Sequence, residues 1–147
     1  MTGIATPNLQ VPDFSLPSST GQTLSLEAYR GNTPLVIIFL PELKTSLRIL
    51  KQFSDRLADF GEERSQLLAV ARIQAKEARE IADENDLVLP LLADASGSMA
   101  EQLNLQLACH PVVVVADKDG RIRESISYPD AHIDGILDRL RRLRRES

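Results

Sequence analysis

The 147-residue sequence contains one cysteine, two histidines and no tryptophan. A single cysteine, Cys109, cannot form an intramolecular disulfide, which excludes a disulfide scaffold and favours a reducing compartment. No cysteine or histidine pair has the spacing of zinc ligands, and the carboxylates form no clustered motif. We therefore expect no metal, and the sequence indicates no cofactor.

Long apolar runs are also absent. No segment approaches the roughly 20 apolar residues that span a bilayer, and the first residues lack the basic and then apolar pattern of a signal peptide. The net charge of −4 argues against a surface built for nucleic acid. We expect a cytoplasmic protein, and the absence of repeats and linkers predicts a single domain over residues 1–147.

The central feature is an apolar segment that leads into a helix. Six consecutive apolar residues between Pro34 and Pro41 predict a strand buried on both faces. Residues 45–60 carry apolar side chains at spacings of three and four, which predicts one amphipathic helix that ends at Gly61. Such a helix N-terminus directs free N–H groups at a common spot.

Strands and helices alternate along the rest of the chain. Residues 13–26 predict a β-hairpin around a Ser-Ser-Thr-Gly turn. Further strands are predicted at 67–73, 88–92, 112–116 and 121–128, and further helices at 76–85, 96–103 and 131–145. This order predicts an α/β fold with a mixed central sheet and helices on both faces.

Four segments in order resemble the redoxin or peroxiredoxin-like branch of the thioredoxin-like superfamily, the alkyl hydroperoxide reductase and thiol-specific antioxidant family. They are Val11-Pro-Asp-Phe-Ser-Leu with Gly21-Gln-Thr-Leu-Ser-Leu and Tyr29-Arg-Gly; Pro34-Leu-Val-Ile-Ile-Phe-Leu-Pro; Leu89-Pro-Leu-Leu-Ala-Asp; and Val115-Ala-Asp-Lys-Asp-Gly-Arg-Ile. The resemblance implies a thioredoxin-like fold and antioxidant thiol chemistry.

The peroxidase motif of the resembled family is incomplete. Its peroxidases carry Pro-x-x-x-Thr-x-x-Cys after the buried strand, with the cysteine in the first turn of the helix, where its thiolate is stabilised. Pro41 and Thr45 match this motif, whereas Arg48 occupies the position of the cysteine. A guanidinium cannot attack a peroxide. The resemblance therefore implies the fold of the family without its peroxidatic cysteine thiolate.

The other redox elements also differ. Thioredoxin-type oxidoreductases place Cys-x-x-Cys near the positions of Lys44 and Leu47. The peroxidases of the resembled family also carry an arginine in their active site, and its position aligns with Pro111. This proline instead resembles the cis-proline that lies beside the active-site helix of thioredoxin-type members. The resemblance thus implies a cis bond between His110 and Pro111.

Cys109 is the one candidate thiol nucleophile. By the resemblance it lies in the loop that faces the helix start, where Lys44 or Arg48 would stabilise a thiolate. The alternative is a buried cysteine that behaves as a small hydrophobic residue. His110 follows it directly, but neighbours in an extended chain point to opposite sides, which disfavours a Cys–His pair.

A second candidate site is an anion-binding cleft at the predicted helix N-terminus. Its N–H groups, hydroxyls and cations converge on one oxyanion. Its residues are Lys44, Thr45, Ser46 and Arg48, with His110 and Pro111 across the cleft. The alternative is a Thr or Ser N-cap surrounded by solvated charges.

These observations leave two functions open. We favour a binding or regulatory redoxin without classical peroxidase activity, whose partner is a peptide, a protein or a small anion and is neither nucleic acid nor a membrane. The alternative is an antioxidant thiol oxidoreductase that uses Cys109 alone. A homodimer is compatible with the resemblance, and the arginine-rich segment 139–145 is either a partner-binding surface or a solvated helix end.

Overall fold

A computed structural model describes residues 10–11, 13–29, 31, 33–41, 43–103, 111–127 and 133–146, except the side chains of residues 43–45, 144 and 146. The strands in these ranges are β1 Ser15–Pro17, β2 Thr23–Ser25, β3 Leu35–Leu40, β4 Gln66–Ala71, β5 Leu91–Ala93, β6 Val112–Ala116 and β7 Ile122–Ser127. The helices are α1 Leu43–Asp55, α2 Leu57–Glu62, α3 Ala75–Asn85, α4 Ser98–Gln102 and α5 Ile133–Glu146. Within the described ranges, no helix is both long and apolar enough to cross a bilayer.

The central sheet is mixed, as the alternation of elements predicts. Its strand order is β5-β4-β3-β6-β7. The strands β3, β4 and β5 run parallel, whereas β6 is antiparallel to both β3 and β7. The strands β1 and β2 form the predicted N-terminal hairpin as a separate antiparallel pair.

Both faces of the sheet are covered, and β3 shows this most directly. All six of its residues are buried, and alternate residues belong to two different apolar clusters. One cluster joins the first face to apolar side chains of α1, α2, α3 and α5. The other joins the opposite face to the N-terminal hairpin, the 3-10 turn Leu26–Ala28 and α4. The predicted layers are thus confirmed.

The single helix predicted for residues 45–60 is wrong, because the chain forms two helices. The first ends at Asp55, Arg56 leaves the helical conformation (φ −105°, ψ 14°), and α2 continues past Gly61 to Glu62. The Arg56 guanidinium hydrogen-bonds Asp59 and, at 2.9 Å, the α5 residue Asp134. Apolar periodicity cannot detect such a break, since the buried positions on both sides of it face the same cluster.

The strand predicted for residues 88–92 begins later, at Leu91. Val88 is 64% exposed, and its N–H donates to the Ser54 hydroxyl of α1 at 2.8 Å rather than to a neighbouring strand. Pro90, which has no N–H to donate, separates this exposed residue from the paired residues. The strand β5 is therefore a short edge strand.

Candidate functional site

The predicted cleft lies at one end of the sheet, where β3 meets α1. In the antiparallel register, Phe39 pairs with Val112, so the end of β3 lies beside the start of β6. Pro111 is buried immediately before β6, and Pro41 immediately follows β3. The topology therefore brings Pro111 to the edge from which α1 starts. Cys109 and His110, and with them the predicted cis bond, lie outside the described residues.

The start of α1 differs from the sequence-based expectation. The helix begins at Leu43, so Thr45 and Ser46 lie within its first turn and neither is the predicted N-cap. Since Pro41 ends β3, the chain enters the helix two residues later, before the predicted start. The side chains of Lys44 and Thr45 are outside the described part of the structure.

Ser46 and Arg48 lie on different faces of α1. Ser46 is 2% exposed and shares the buried face with Leu50 and Phe53, which follow at helical spacing. Arg48 follows Ser46 by two positions, about 200° around the helix axis, and its side chain is exposed. It is the sixth residue of α1 and so lies in the second turn. Among the described residues, Arg48 has no hydrogen-bond or ion-pair partner.

A second opening lies at the carboxyl ends of the parallel strands, on the α4 side of the sheet. It has a volume of about 520 Å³. Strand ends, the residues that follow them and α4 supply its walls: Phe39, Leu40, Pro41, Val70, Ala71, Arg72, Asp94, Ser96, Gly97, Ala100 and Glu101. We call this opening the α4 pocket. Pockets of this volume hold small molecules in many proteins.

Arg72 lines the α4 pocket and lies against a glycine. It follows β4 directly, and its side chain lies so close to Gly97 that a Cβ atom there would be 3.2 Å from Arg72 Cδ and 3.3 Å from Nε. Gly97 has φ +73°, a left-handed conformation that glycine adopts at little cost. Gly97 thus allows the left-handed backbone turn, and its lack of a Cβ leaves room for the Arg72 side chain.

Asp94 builds the opposite wall of this pocket. It follows β5 directly, is 3% exposed, and accepts the Met99 N–H of α4 through Oδ2 at 2.9 Å. Its Oδ1 receives longer hydrogen bonds from the hydroxyls of Ser96 (3.4 Å) and Ser98 (3.5 Å). This carboxylate therefore satisfies an N–H in the first turn of α4 and fixes the helix against the end of β5.

Sequence reasoning missed the α4 pocket. The available signal was the polar residue that follows each of two apolar runs, Arg72 after the run that forms β4 and Asp94 after the run that forms β5. The carboxyl ends of parallel strands meet at one edge of a sheet, where ligands of open α/β proteins bind. Their spacing alone did not show that Gly97 makes room for an arginine from another loop.

Two arginines of the arginine-rich segment of α5 form ion pairs within the chain. Arg139 pairs with Glu124 of β7. Arg141 pairs with Glu63 at 2.9 Å and with Asp138 at 2.7 Å, and the hydrogen bond that its guanidinium donates to Glu63 is the main cause of the raised pKa of Arg141. Glu63 is buried, so this pair ties α5 to the end of α2. These ion pairs favour a helix end that packs on the rest of the chain over a basic surface that is free to bind a partner.

The order and directions of the strands, with a helix that starts at the end of the central strand, define a thioredoxin-like fold. The sequence matches the AhpC/TSA family over residues 7–125, and the chain belongs to this family. The family predicted from the sequence is thereby confirmed.

Individual relatives agree with this assignment. A Mycobacterium tuberculosis (strain H37Rv) protein that is named as a peroxiredoxin is 27% identical over 146 residues, which cover 91% of this chain and 95% of the relative. The crystal structure of peroxidoxin BcpB from M. tuberculosis superimposes with a TM-score of 0.79 at 26% identity, over 96% of this chain and 97% of that one. The reduced 2-Cys peroxiredoxin of Plasmodium vivax shares the fold at 15% identity, with a TM-score of 0.78 over 95% of this chain and 97% of that one.

Proposed function

We propose that this chain is a binding or regulatory redoxin that does not reduce peroxides as the cysteine-containing peroxidases do. We further propose that it binds a peptide or a small anion at the edge formed by the start of α1 and by Pro111. One observation carries this proposal: Arg48 stands where those peroxidases hold their cysteine, and Cys109 is the single cysteine of the sequence.

The chemistry of Arg48 supports the loss of peroxidase function. Peroxide reduction begins when a thiolate sulfur attacks a peroxide oxygen. A guanidinium stays protonated in proteins and offers no lone pair for such an attack. Arg48 also lies in the second turn of α1, where the field of the helix N-terminus has declined.

The same residue supports anion binding. The first N–H groups of α1 have no partner within the helix, and side chains on a helix lean toward its N-terminus. Arg48 is exposed and has no ion-pair partner among the described residues. A guanidinium can donate two parallel hydrogen bonds to a carboxylate, sulfate or phosphate. An anion near the start of α1 would therefore meet both kinds of donor.

Replacing Arg48 by glutamine is expected to weaken sulfate binding at this edge about tenfold or more, because a charge-assisted hydrogen bond contributes about 1.5–3 kcal/mol. Sulfate titration followed by amide NMR signals measures the affinity, and the signals of residues 43–48 should move. Arg145→Gln, an exposed arginine of α5, is the matched control. Sulfate shifts that are absent from residues 43–48, or unchanged by Arg48→Gln, would remove the anion site.

The alternative function is a thiol oxidoreductase that uses Cys109. Its thiolate would attack the peroxide ROOH and form a sulfenic acid, while the other peroxide oxygen leaves as RO⁻ and takes up a proton to give ROH. Two molecules of an external thiol would then reduce the sulfenic acid, releasing water and a disulfide. The family and the names of its relatives favour this alternative. The two functions differ in peroxide consumption that depends on Cys109.

We also propose that the protein works in the cytoplasm. Reducing conditions keep an unpaired thiol in its reduced form. A single cysteine suits such a compartment better than an oxidising one, where it would form intermolecular disulfides.

A further inference from the structure

The α4 pocket contains a cation that the proposed function does not use. The pocket opens at the carboxyl ends of β3, β4 and β5, on the side of the sheet that α4 covers. Arg48 lies on α1, whose apolar residues pack on the opposite face. Crevices outside the carboxyl ends of parallel strands are common ligand sites in open α/β sheets. The α4 pocket is therefore a candidate site on the other face of the sheet from Arg48, at the same end of β3, with Pro41 between the two.

Arg72 is the group that would recognise a ligand in this pocket. Other arginines of the chain pair with carboxylates, as Arg56 does with Asp134 and Arg141 with Glu63. Arg72 has no hydrogen-bond or ion-pair partner within the described residues. Its side chain is exposed, lies against Gly97 and lines the pocket. Its guanidinium thus keeps its donors available to an acceptor in the pocket.

The acidic residues of the pocket limit the charge of that acceptor. The Asp94 carboxylate already accepts the Met99 N–H and lies buried in the wall. Glu101 lies exposed on the wall, one helical turn along α4. The two carboxylates repel a dianion such as phosphate about twice as strongly as a monoanion. Of the anions that Arg72 could bind, a monoanion is therefore opposed least.

Apolar side chains form a further part of the wall, beside Ser96. Phe39 and Val70, from the ends of β3 and β4, and Ala100 of α4 lie in the same apolar cluster or against it. A ligand that joins an apolar body to one negative charge would contact the apolar surface that the pocket exposes and meet Arg72 at the same time. We propose that the α4 pocket binds a small organic monocarboxylate, whose carboxylate accepts hydrogen bonds from the Arg72 guanidinium.

Cyclohexanecarboxylate and its neutral counterpart cyclohexanecarboxamide test this proposal on the full chain. Amide NMR titration should show shifts at residues 71–73 and 94–101 with the carboxylate, and weaker binding of the amide. Arg72→Gln should lower the carboxylate affinity roughly ten- to hundredfold. Arg142→Gln, another exposed arginine, should leave it unchanged.

A second variant keeps the charge of Arg72 and moves its side chain. Gly97→Ala places a Cβ 3.2 Å from Arg72 Cδ, in a left-handed conformation that alanine adopts at a modest cost. We expect it to weaken carboxylate binding as well. Equal affinity for the carboxylate and the amide, unchanged binding in Arg72→Gln, or tighter binding of inorganic phosphate in the pocket would each overturn the proposal. Since sulfate binding at residues 43–48 is read from other signals, the two sites succeed or fail separately.

Discussion

Replacing Phe53 by alanine is expected to lower the free energy of unfolding by about 3–5 kcal/mol. Phe53 is 1% exposed, and its ring lies 6.1 Å from that of Phe60 at an interplanar angle of 33°. The sheet holds one side of this contact and α2 the other, so the neighbours can fill the vacated volume only in part. Urea denaturation followed by circular dichroism measures the loss as a shift of the midpoint.

Leu57→Ala is the matched control for this prediction. Leu57 is the first residue of α2 and packs against the same cluster, but it is only half-buried. We expect a loss of about 1 kcal/mol, since less apolar area leaves the core. If Phe53→Ala destabilised the protein no more than Leu57→Ala, Phe53 would not anchor α1 to the sheet. The position of Arg48 on α1 would then lack its main support.

Replacing Asp94 by alanine is expected to cost about 1–3 kcal/mol, because it leaves the Met99 N–H without an acceptor near the start of α4. The two serine hydroxyls that approach Asp94 Oδ1 lose the same partner. The amide groups of α4 should also exchange faster, because the helix loses the contact that fixes its first turn. The wall that α4 forms in the α4 pocket would loosen with it. Urea denaturation measures the stability, and hydrogen exchange at residues 98–102 measures the local effect.

Asp94→Asn separates the hydrogen bond from the charge. An asparagine keeps one carbonyl oxygen that can accept the Met99 N–H, while its amide group can donate to the serine hydroxyls. We expect it to lose less stability than Asp94→Ala. A loss of less than about 0.5 kcal/mol in Asp94→Ala would contradict the structural role of this carboxylate.

Features that depend on local pattern could be predicted from the sequence. The six apolar residues of β3 predicted a strand covered on both faces, and each side of that strand contacts its own cluster. The apolar residues of the helix predicted for 131–145 recur at helical spacing, and in α5 three of them, Ile136, Leu137 and Leu140, are buried. Here the apolar period and the burial describe the same property.

Features that depend on hydrogen bonding or on contacts between distant residues could not be predicted from the sequence. The break at Arg56 follows from a backbone turn that leaves the apolar period unchanged. The start of α1 at Leu43 separates Ser46 from Arg48 onto different faces, although the two side chains were predicted to converge on one anion. The α4 pocket requires Arg72 to lie against Gly97, a contact between two loops that no local pattern records.

The chain thus retains the architecture of its family, while Arg48 follows Pro41 and Thr45 at the spacing of the motif's cysteine. The strand, the helix and Pro111 are present at the expected edge of the sheet. A fold by itself does not specify chemistry, which depends on the side chains of the site. Arg48 offers this edge an exposed hydrogen-bond donor, which cannot act as a nucleophile.

Consumption of hydrogen peroxide by the wild-type chain and by Cys109→Ser, with dithiothreitol as the reductant and a cysteine-containing peroxiredoxin as the positive control, tests the proposed function most directly. We expect both chains to consume peroxide no faster than an equal concentration of free cysteine. Rapid consumption by the wild-type chain that Cys109→Ser abolishes would contradict the proposal and establish Cys109 as a peroxidatic residue.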